Sequence, residues 1–269
     1  MTKRPFLIRA FCSDETASAQ RAILASLPST FHFVDDGAAD IALVTPDCIE
    51  LGLTGKPRAL VLAAPCLSTE KQIDGLSGAT IPTFPILHLA ATMTQVLASM
   101  SVGSAVLVRS EYLSRSDKTA AWLEQLVASQ VLLGTLTDIR LLVEPPHSYS
   151  GSARTTSGVP VLWGGQIGAA TERFDLDIVG LAERIEVLSH GANTARPAQV
   201  TIATADGLQV KRAAYQSGLL LFWRAIAAEL SGTMTGIPRL ADIVPLLLLV
   251  QQLSTPTSVV TCSESAYHG

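Results

Sequence analysis

Short apolar runs alternate with amphipathic stretches along the first hundred residues, and this alternation predicts repeated strand–helix units. Residues 40–45 and 58–64 are almost wholly apolar, as expected of parallel strands that are covered on both faces. Residues 14–27 place apolar side chains at helical spacing. Further strands are predicted at 5–11, 30–36 and 81–86. The pattern predicts a Rossmann-like, doubly wound α/β domain over residues 1–100 with a parallel sheet.

The second half of the chain has a different pattern. A strand at 105–109 precedes an amphipathic helix at 117–133, which Gly134 closes, and a second strand follows at 136–144. Asp206-Gly207 is a hairpin-turn signal between two later strands. The remaining predictions are a polar loop at 145–158, a helix at 165–176, strands at 184–189, 199–204 and 208–215, and helices at 219–230 and 240–253. Together they predict a C-terminal α+β domain, residues 101–269, with an open, mostly antiparallel sheet.

Composition narrows the class of partner. Of the 269 residues, 48% are hydrophobic and 16% are charged, and the formal net charge is −4. Because no basic stripe is present, nucleic acid is not an expected partner. The apolar run at 243–250 is too short to span a bilayer, and the N-terminus lacks the apolar run of a signal peptide. We expect a soluble, cytoplasmic protein that does not bind membranes.

The four cysteines do not form a metal-binding pattern. They are scattered along the chain without a Cys-x-x-Cys pair, so no metal is expected, and the simplest interpretation is free thiols in a reducing compartment. Cys12 has a second interpretation, because it lies at a strand end before a helix start, where a thiolate can be stabilised. The cysteines are Cys12, Cys48, Cys66 and Cys262.

Residues 59–65, 115–134, 158–174 and 203–210, taken in order, together resemble the Gfo/Idh/MocA family of dehydrogenases. Residues 59–65 resemble the fourth strand of that family, which ends in a proline near the nicotinamide. Residues 115–134 are similar to a segment that begins with arginine and runs into the next strand. Residues 158–174 resemble the glycine-rich start of the catalytic helix, and 203–210 resemble a sheet hairpin. The resemblance implies a two-domain, nicotinamide-dependent oxidoreductase fold with the substrate between the domains.

The phosphate-binding turn departs from this family. The family's first loop is rich in glycine, whereas no glycine occurs here between Pro5 and Asp36. A pyrophosphate needs close backbone approach and free N–H groups at a helix start. Asp14 and Glu15 place two negative charges at that turn instead. By resemblance, Asp35 or Asp36 remains available to read the ribose.

Two catalytic motifs also depart from the family. Its Glu-Lys-Pro motif corresponds here to residues 83–85, Thr-Phe-Pro, so the proline remains and the lysine is missing. Its catalytic helix carries a histidine followed by an aspartate, and residues 166–170 contain neither. These losses argue against hydride transfer of the family type, and the cofactor expectation is therefore none, with NADP or NAD as the alternative.

Eight residues are candidates for chemistry in the cleft between the domains. Arginine clamps carboxylates or phosphates, histidine and tyrosine transfer protons, and tryptophan stacks on sugars. Gln166 takes the place of the missing histidine and can orient a substrate but cannot act as a base. Each residue also has an ordinary alternative, as a helix cap, a core residue or part of the surface. The catalytic candidates are His88, Tyr112, Arg115 and His147, and the substrate-binding candidates are Glu111, Tyr149, Trp163 and Gln166.

Three functions remain open at this level. The first is a cofactor-independent enzyme that carries out an elimination, isomerisation or cyclisation on a small polar metabolite. The second is a non-catalytic pseudoenzyme or partner subunit. The third is an NAD(P)-dependent oxidoreductase with an atypical phosphate loop. By resemblance, the open sheet of the second domain is the face through which a homodimer or higher oligomer forms.

Overall fold

The first part of the chain folds around a parallel sheet. The computed structural model describes residues 4–63, 72, 76, 80–83, 105–115, 117–143, 145–190, 196, 198–212, 217–233 and 239–254. Within these residues, five parallel strands form a sheet in the order β2-β1-β3-β4-β5. The elements are β1 (Phe6–Phe11), α1 (Asp14–Leu24), β2 (Phe31–Phe33), β3 (Ile41–Val44), a 3-10 turn (Pro46–Cys48), α2 (Ile49–Thr54), β4 (Ala59–Leu62) and β5 (Thr80–Pro82).

The second part forms a larger sheet. Eight described strands lie in the order β13-β12-β11-β10-β6-β9-β8-β7, and β6 and β9 are the parallel pair within it. The elements are β6 (Ala105–Ser114), α3 (Lys118–Leu133), β7 (Leu136–Val143), β8 (Ser148–Thr155), β9 (Pro160–Ile167), β10 (Arg173–Gly180), β11 (Glu183–His190), β12 (Gln199–Thr204), β13 (Gly207–Arg212), α4 (Gly218–Leu230) and α5 (Leu240–Ser254). The predicted α/β class, with a parallel sheet followed by a mostly antiparallel one, is confirmed.

Both faces of the parallel sheet are covered. Ile41 and Leu43 point into a cluster with α1 and α4, whereas Ala42 and Val44 point into the core that α3 and α5 share with the larger sheet. The Trp223 indole of α4 donates a hydrogen bond to Gln20 of α1 at 2.8 Å. A helix late in the chain therefore packs on the first sheet. The domain boundary near residue 100 stays a prediction, because it falls outside the described residues.

Two predicted elements are wrong, because the alternation of buried and exposed residues in strands was not seen in either segment. The predicted loop 145–158 contains β8, and the predicted helix 165–176 is the end of β9, a short link and the start of β10. Phe174 and Leu176 are buried and Asp175 between them is not, which is the period of two of a strand. In β8 the small and polar side chains hide the same alternation. The strand β9 and the short helix α2 are additions that the sequence did not predict.

Candidate functional site

The parallel sheet reverses its winding between β1 and β3, and the space beyond the carboxyl ends of these two strands is called the crevice. Strand β1 pairs with β2 on one side and β3 on the other, so the chain leaves the carboxyl ends of β1 and β3 in opposite directions. Ligands of open α/β sheets bind at such a point. The turn that follows β1 is Cys12-Ser13, and the turn that follows β3 begins at Thr45. These turns are therefore the first candidate site.

The turn after β1 does not fit a diphosphate held by close backbone approach. Ser13 caps α1, since its hydroxyl accepts the Thr16 N–H at 3.4 Å and its carbonyl accepts the Ala17 N–H at 2.9 Å. The exposed Asp14 and Glu15 occupy the first turn, where their charges already complement the positive end of the helix dipole. The N–H groups of Thr16 and Ala17 are thus already bonded to Ser13, and two carboxylates lie where the diphosphate charge would be.

The end of β2 fits the ribose of a dinucleotide better. The Val34 N–H donates to the Ile8 carbonyl at 2.9 Å, which holds this end of β2 beside β1. Asp35 follows directly, with a side chain that is 96% exposed and lies 3.5 Å from Arg21. An acidic residue about twenty residues after the phosphate turn can accept the ribose hydroxyls. Asp35 and Asp36 therefore stay candidates for that role.

The strand β6 separates two residues that were expected to share a cleft. Glu111 and Tyr112 are neighbours in a strand, so their side chains lie on opposite faces of the sheet. Tyr112 is 3% exposed and donates a hydrogen bond from its hydroxyl to Glu124 Oε2 at 3.0 Å. Burial, reinforced by the Glu124 charge, raises the Tyr112 pKa far above its usual range. The expectation of a shared cleft is wrong, and Tyr112 lies in the core under α3.

Tyr149 and Trp163 also lie in that core. The Trp163 ring stacks on Trp122 of α3 with centroids 5.0 Å apart, and the Tyr149 ring lies 5.9 Å from Trp163. Both side chains are buried, so neither presents a face to a sugar. Burial first, and then the Glu124 charge, raises the Tyr149 pKa above its usual range. The structure therefore gives these two candidates a packing role.

Arg115 holds the link between β9 and β10. Its Nε donates to the Ala170 carbonyl at 3.1 Å, and its Nη2 donates to the same oxygen. The Ala169 N–H donates to the Ser114 carbonyl at 3.1 Å, so the link is fastened to the end of β6. The segment that was expected to begin a catalytic helix is therefore a short connection between two strands.

The other candidates lie apart from the crevice or outside the described residues. His147 is exposed before β8, and its carbonyl accepts the Ile167 N–H at 2.9 Å. Gln166 and Glu111 both lie on the face of the large sheet that α3 does not cover. His88 lies outside the described residues. The structure thus brings Glu111 and Gln166 together and separates them from Tyr112, Tyr149 and Trp163.

A depression of about 590 Å³ surrounds Glu111 and Gln166 on that open face. Gly164 leaves room at its centre, since it lies opposite Glu111 in the sheet and has no side chain. Most of the charged side chains here were not among the predicted site residues. The alternation of buried and exposed residues along β6 and β10 could have indicated them. The side chains around the depression include Arg109, Glu111, Leu162, Gln166, Asp175 and Asp177.

Solved structures share this fold over nearly the whole chain. UDP-N-acetylglucosamine 3-dehydrogenase GnnA from Acidithiobacillus ferrooxidans is 10% identical, with a TM-score of 0.70 over 93% of this chain and 96% of that one. A variant of the 3-ketoreductase KijD10 from Actinomadura kijaniata, in complex with TDP-benzene and NADP, is 16% identical, with a TM-score of 0.65 over 92% and 96%. An oxidoreductase from Agrobacterium radiobacter, in complex with NAD+, L-tartaric acid and magnesium, is 15% identical, with a TM-score of 0.61 over 90% and 86%.

No protein-family model and no curated protein sequence matches the chain. Among the described helices, none combines the length and the apolar character needed to cross a bilayer. The cytoplasmic location stays a prediction.

The expectation of no cofactor is wrong in the light of these structures. Two of them hold NADP or NAD+, and their fold is the fold of this chain. The cofactor-independent reaction rested on that expectation and loses its support with it. At the level of fold, the resemblance found in the sequence is confirmed, and the chain has the two-part architecture of the Gfo/Idh/MocA oxidoreductases.

Proposed function

We propose that this chain is a nicotinamide-dependent oxidoreductase with an atypical phosphate turn that acts on a small polar metabolite. The observation that carries the proposal is the crevice at the carboxyl ends of β1 and β3, with Asp35 and Asp36 at the adjacent end of β2. The likeness of the whole chain to dehydrogenases supports it. Because carboxylates accept ribose hydroxyls and repel a 2′-phosphate, NAD is the expected cofactor rather than NADP.

Titration with NADH and with NADPH tests the proposal. A ligand at a hundred times its dissociation constant adds about 2.7 kcal/mol to the free energy of unfolding. For a chain of this size that raises the melting temperature by roughly 5–10 °C. We expect NADH to produce this shift at lower concentration than NADPH. No shift with either dinucleotide at millimolar concentration would refute the proposal.

Neutralising the phosphate turn locates the binding site. The double variant D14N/E15Q removes two charges that repel a diphosphate, and we expect it to bind NADH roughly ten- to a hundredfold more tightly. The control is D206N, which removes a single exposed carboxylate from the turn between β12 and β13. In the wild type, added salt should tighten NADH binding, because it screens that repulsion. Equal effects of D14N/E15Q and D206N would place the dinucleotide elsewhere.

A non-catalytic subunit is the second candidate function. It is favoured by the positions of three of the candidate site residues. Tyr112 and Tyr149 are buried under α3, and Arg115 donates hydrogen bonds to a backbone carbonyl. Turnover separates the two functions. An oxidoreductase oxidises bound NADH with at least one keto sugar or nucleotide keto sugar from a panel, whereas a non-catalytic subunit binds NADH and oxidises it with none.

The open face of the large sheet is the proposed interface with a second copy. It carries charges of both signs, including the pairs Arg173–Asp175 and Arg184–Asp177, each with a 2.8 Å contact. A two-fold axis sets such a face against itself in reverse, so opposite charges can meet. Leu162 lies on this face and is 44% exposed.

Sedimentation of single variants tests this interface. L162D replaces an apolar side chain of this face with a charged carboxylate, next to Arg109 in the sheet, which would lose its hydration in the interface, so we expect it to dissociate the oligomer. The control L181D alters a residue that is 91% exposed at the turn between β10 and β11, and it should leave the oligomer intact. A wild-type chain that sediments as a monomer at micromolar concentration would contradict the interface.

A further inference from the structure

Two cysteine side chains lie at the carboxyl edge where β1 meets β3. The Thr45 N–H donates to the Phe11 carbonyl at 3.3 Å, and Cys12 is the next residue after Phe11. The Cys48 N–H donates to the Thr45 carbonyl at 3.0 Å and closes the 3-10 turn. Cys48 is therefore hydrogen-bonded to Thr45 through its backbone. Cys12 follows Phe11, which is itself hydrogen-bonded to Thr45. The fold brings together two thiols that are far apart in the sequence.

The surroundings of the two thiols leave them accessible but slow their reaction. Both side chains are half-buried, so a small reagent can reach them while the chain stays folded. Burial is the main cause that raises the pKa of the Cys12 thiol, and repulsion by a Cys48 thiolate is the next. Arg21 opposes that rise, whereas Asp14 and Asp47 add to it. A raised pKa lowers the fraction of the reactive thiolate, so the reaction is slow at neutral pH and becomes faster as the pH rises.

We propose that Cys12 and Cys48 form a reversible disulfide across the β1–β3 crevice when the folded chain meets a low-molecular-weight disulfide. One thiolate attacks the small disulfide, forms a mixed disulfide and releases one small thiol. The second cysteine then attacks the bonded protein sulfur, which forms the internal bridge and releases the other small thiol. Two protein thiols are oxidised and one disulfide is reduced to two thiols, so atoms and electrons balance.

The bridge would tie the turn before α1 to the turn before α2. A disulfide forms without backbone movement only when the two Cα atoms lie within about 7 Å. The bond would then fix the mouth of the crevice and cross-link the loop between the two residues, which restricts the unfolded chain. The inference stands apart from the proposed function, because formation of the bridge requires no cofactor.

Peptide mapping of the full-length chain tests the bridge. The folded protein is incubated with oxidised glutathione, blocked with iodoacetamide and digested with trypsin without reduction. Cys12 then lies in peptide 10–21 and Cys48 in peptide 22–58, because the Lys56–Pro57 bond resists trypsin. We expect these two peptides to appear linked, at the sum of their masses less two hydrogens, and to separate after dithiothreitol. The double variant C66S/C262S should give the same linked peptide.

The variants C12S and C48S decide the remaining outcomes. Each should lose the linked peptide, and each should lose the rise of several degrees in melting temperature that oxidation gives the wild type. Stable glutathione adducts on Cys12 and Cys48 without a linked peptide would overturn the inference. It would also be overturned by links that involve Cys66 or Cys262 in place of the pair, or by a linked peptide that forms only in urea.

Discussion

Replacing Gly165 by alanine tests how the large sheet packs under α3. A Cβ on Gly165 would lie 2.2 Å from Cζ, 2.3 Å from the hydroxyl and 2.5 Å from Cε1 of Tyr149, whereas carbon atoms normally pack about 3.5–4.0 Å apart. The Tyr149 ring cannot move aside freely, because the rings of Trp163 and Trp122 lie 5.9 and 6.5 Å away by centroid. Overpacking a core costs about 1–3 kcal/mol, and we expect G165A at the upper end. The melting temperature should fall by roughly 6–12 °C.

The neighbouring Gly164 supplies a matched control. A Cβ there has an ordinary contact, 3.5 Å to the Tyr149 carbonyl oxygen, and lies on the opposite face of the sheet. Alanine at a compatible glycine position stabilises by about 0.4–1 kcal/mol through the unfolded chain, so G164A should match or slightly exceed the wild type. Urea unfolding followed by tryptophan fluorescence gives both free energies. If G165A and G164A are equally stable, the packing of Tyr149 on Gly165 is refuted.

A double-variant cycle assigns the penalty to this contact. In a Y149L background the ring is gone, so the cost of G165A should fall by at least about 1 kcal/mol. An unchanged cost would mean that the alanine disturbs the sheet by another route, such as the pairing of β9 with β6.

Three further predictions concern buried polar groups. Y112F removes the hydrogen bond to Glu124 and should lower the free energy of unfolding by about 1.5–3 kcal/mol. Y149F removes a hydroxyl that has no partner among the described residues, so it should leave stability unchanged or raise it. Urea unfolding of the two variants compares them. Both tyrosines have raised pKa values in the fold, so their contribution to the free energy of unfolding is complete below about pH 10. Above that pH it falls by up to about 1.4 kcal/mol per pH unit for each tyrosine. The double variant Y112F/Y149F should therefore lose less stability than the wild type between about pH 9 and 11. Q20L leaves the Trp223 indole N–H without its partner and should cost about 1–3 kcal/mol of unfolding free energy, measured in urea, while a change under 0.5 kcal/mol would contradict that bond.

The parallel sheet could be predicted from the sequence because its strands are covered on both sides. Residues 41–44 and 59–62 are buried throughout, so they appear in the sequence as short apolar runs between polar turns. The helices at 118–133 and 218–230 were predicted nearly to their ends, and Gly134 marks the end of the first one. Local signals were sufficient for these elements.

The candidate site was predicted less well than the fold, because it depends on the face of the large sheet on which each side chain lies. Residues 148–155 contain serine and glycine, which are typical of loops, yet Gly151 is small because the Trp163 ring covers it. That ring comes from another strand, so no local pattern records the contact. Tyr112, Tyr149 and Trp163 have the chemistry of a site, and only the register of β6, β8 and β9 shows that they face α3.

The charges at the phosphate turn and at the end of β2 act in opposite directions on a dinucleotide. Two carboxylates about 6 Å from a doubly charged diphosphate cost roughly 3 kcal/mol in water before salt screening, whereas a helix N-terminus returns about 0.3–1 kcal/mol. Asp35 and Asp36 can accept hydrogen bonds from ribose hydroxyls but not from the diphosphate, so they favour binding of the adenosine half of the dinucleotide. Removing the charges of Asp14 and Glu15 relieves the repulsion and leaves the side chains that crowd the turn. The variant S13G provides room and frees the Thr16 N–H, while it leaves the charges. The affinities of these two changes therefore separate the electrostatic part of the misfit from the steric part, and a larger gain from the glycine would mean that the shape of the turn limits binding more than its charge.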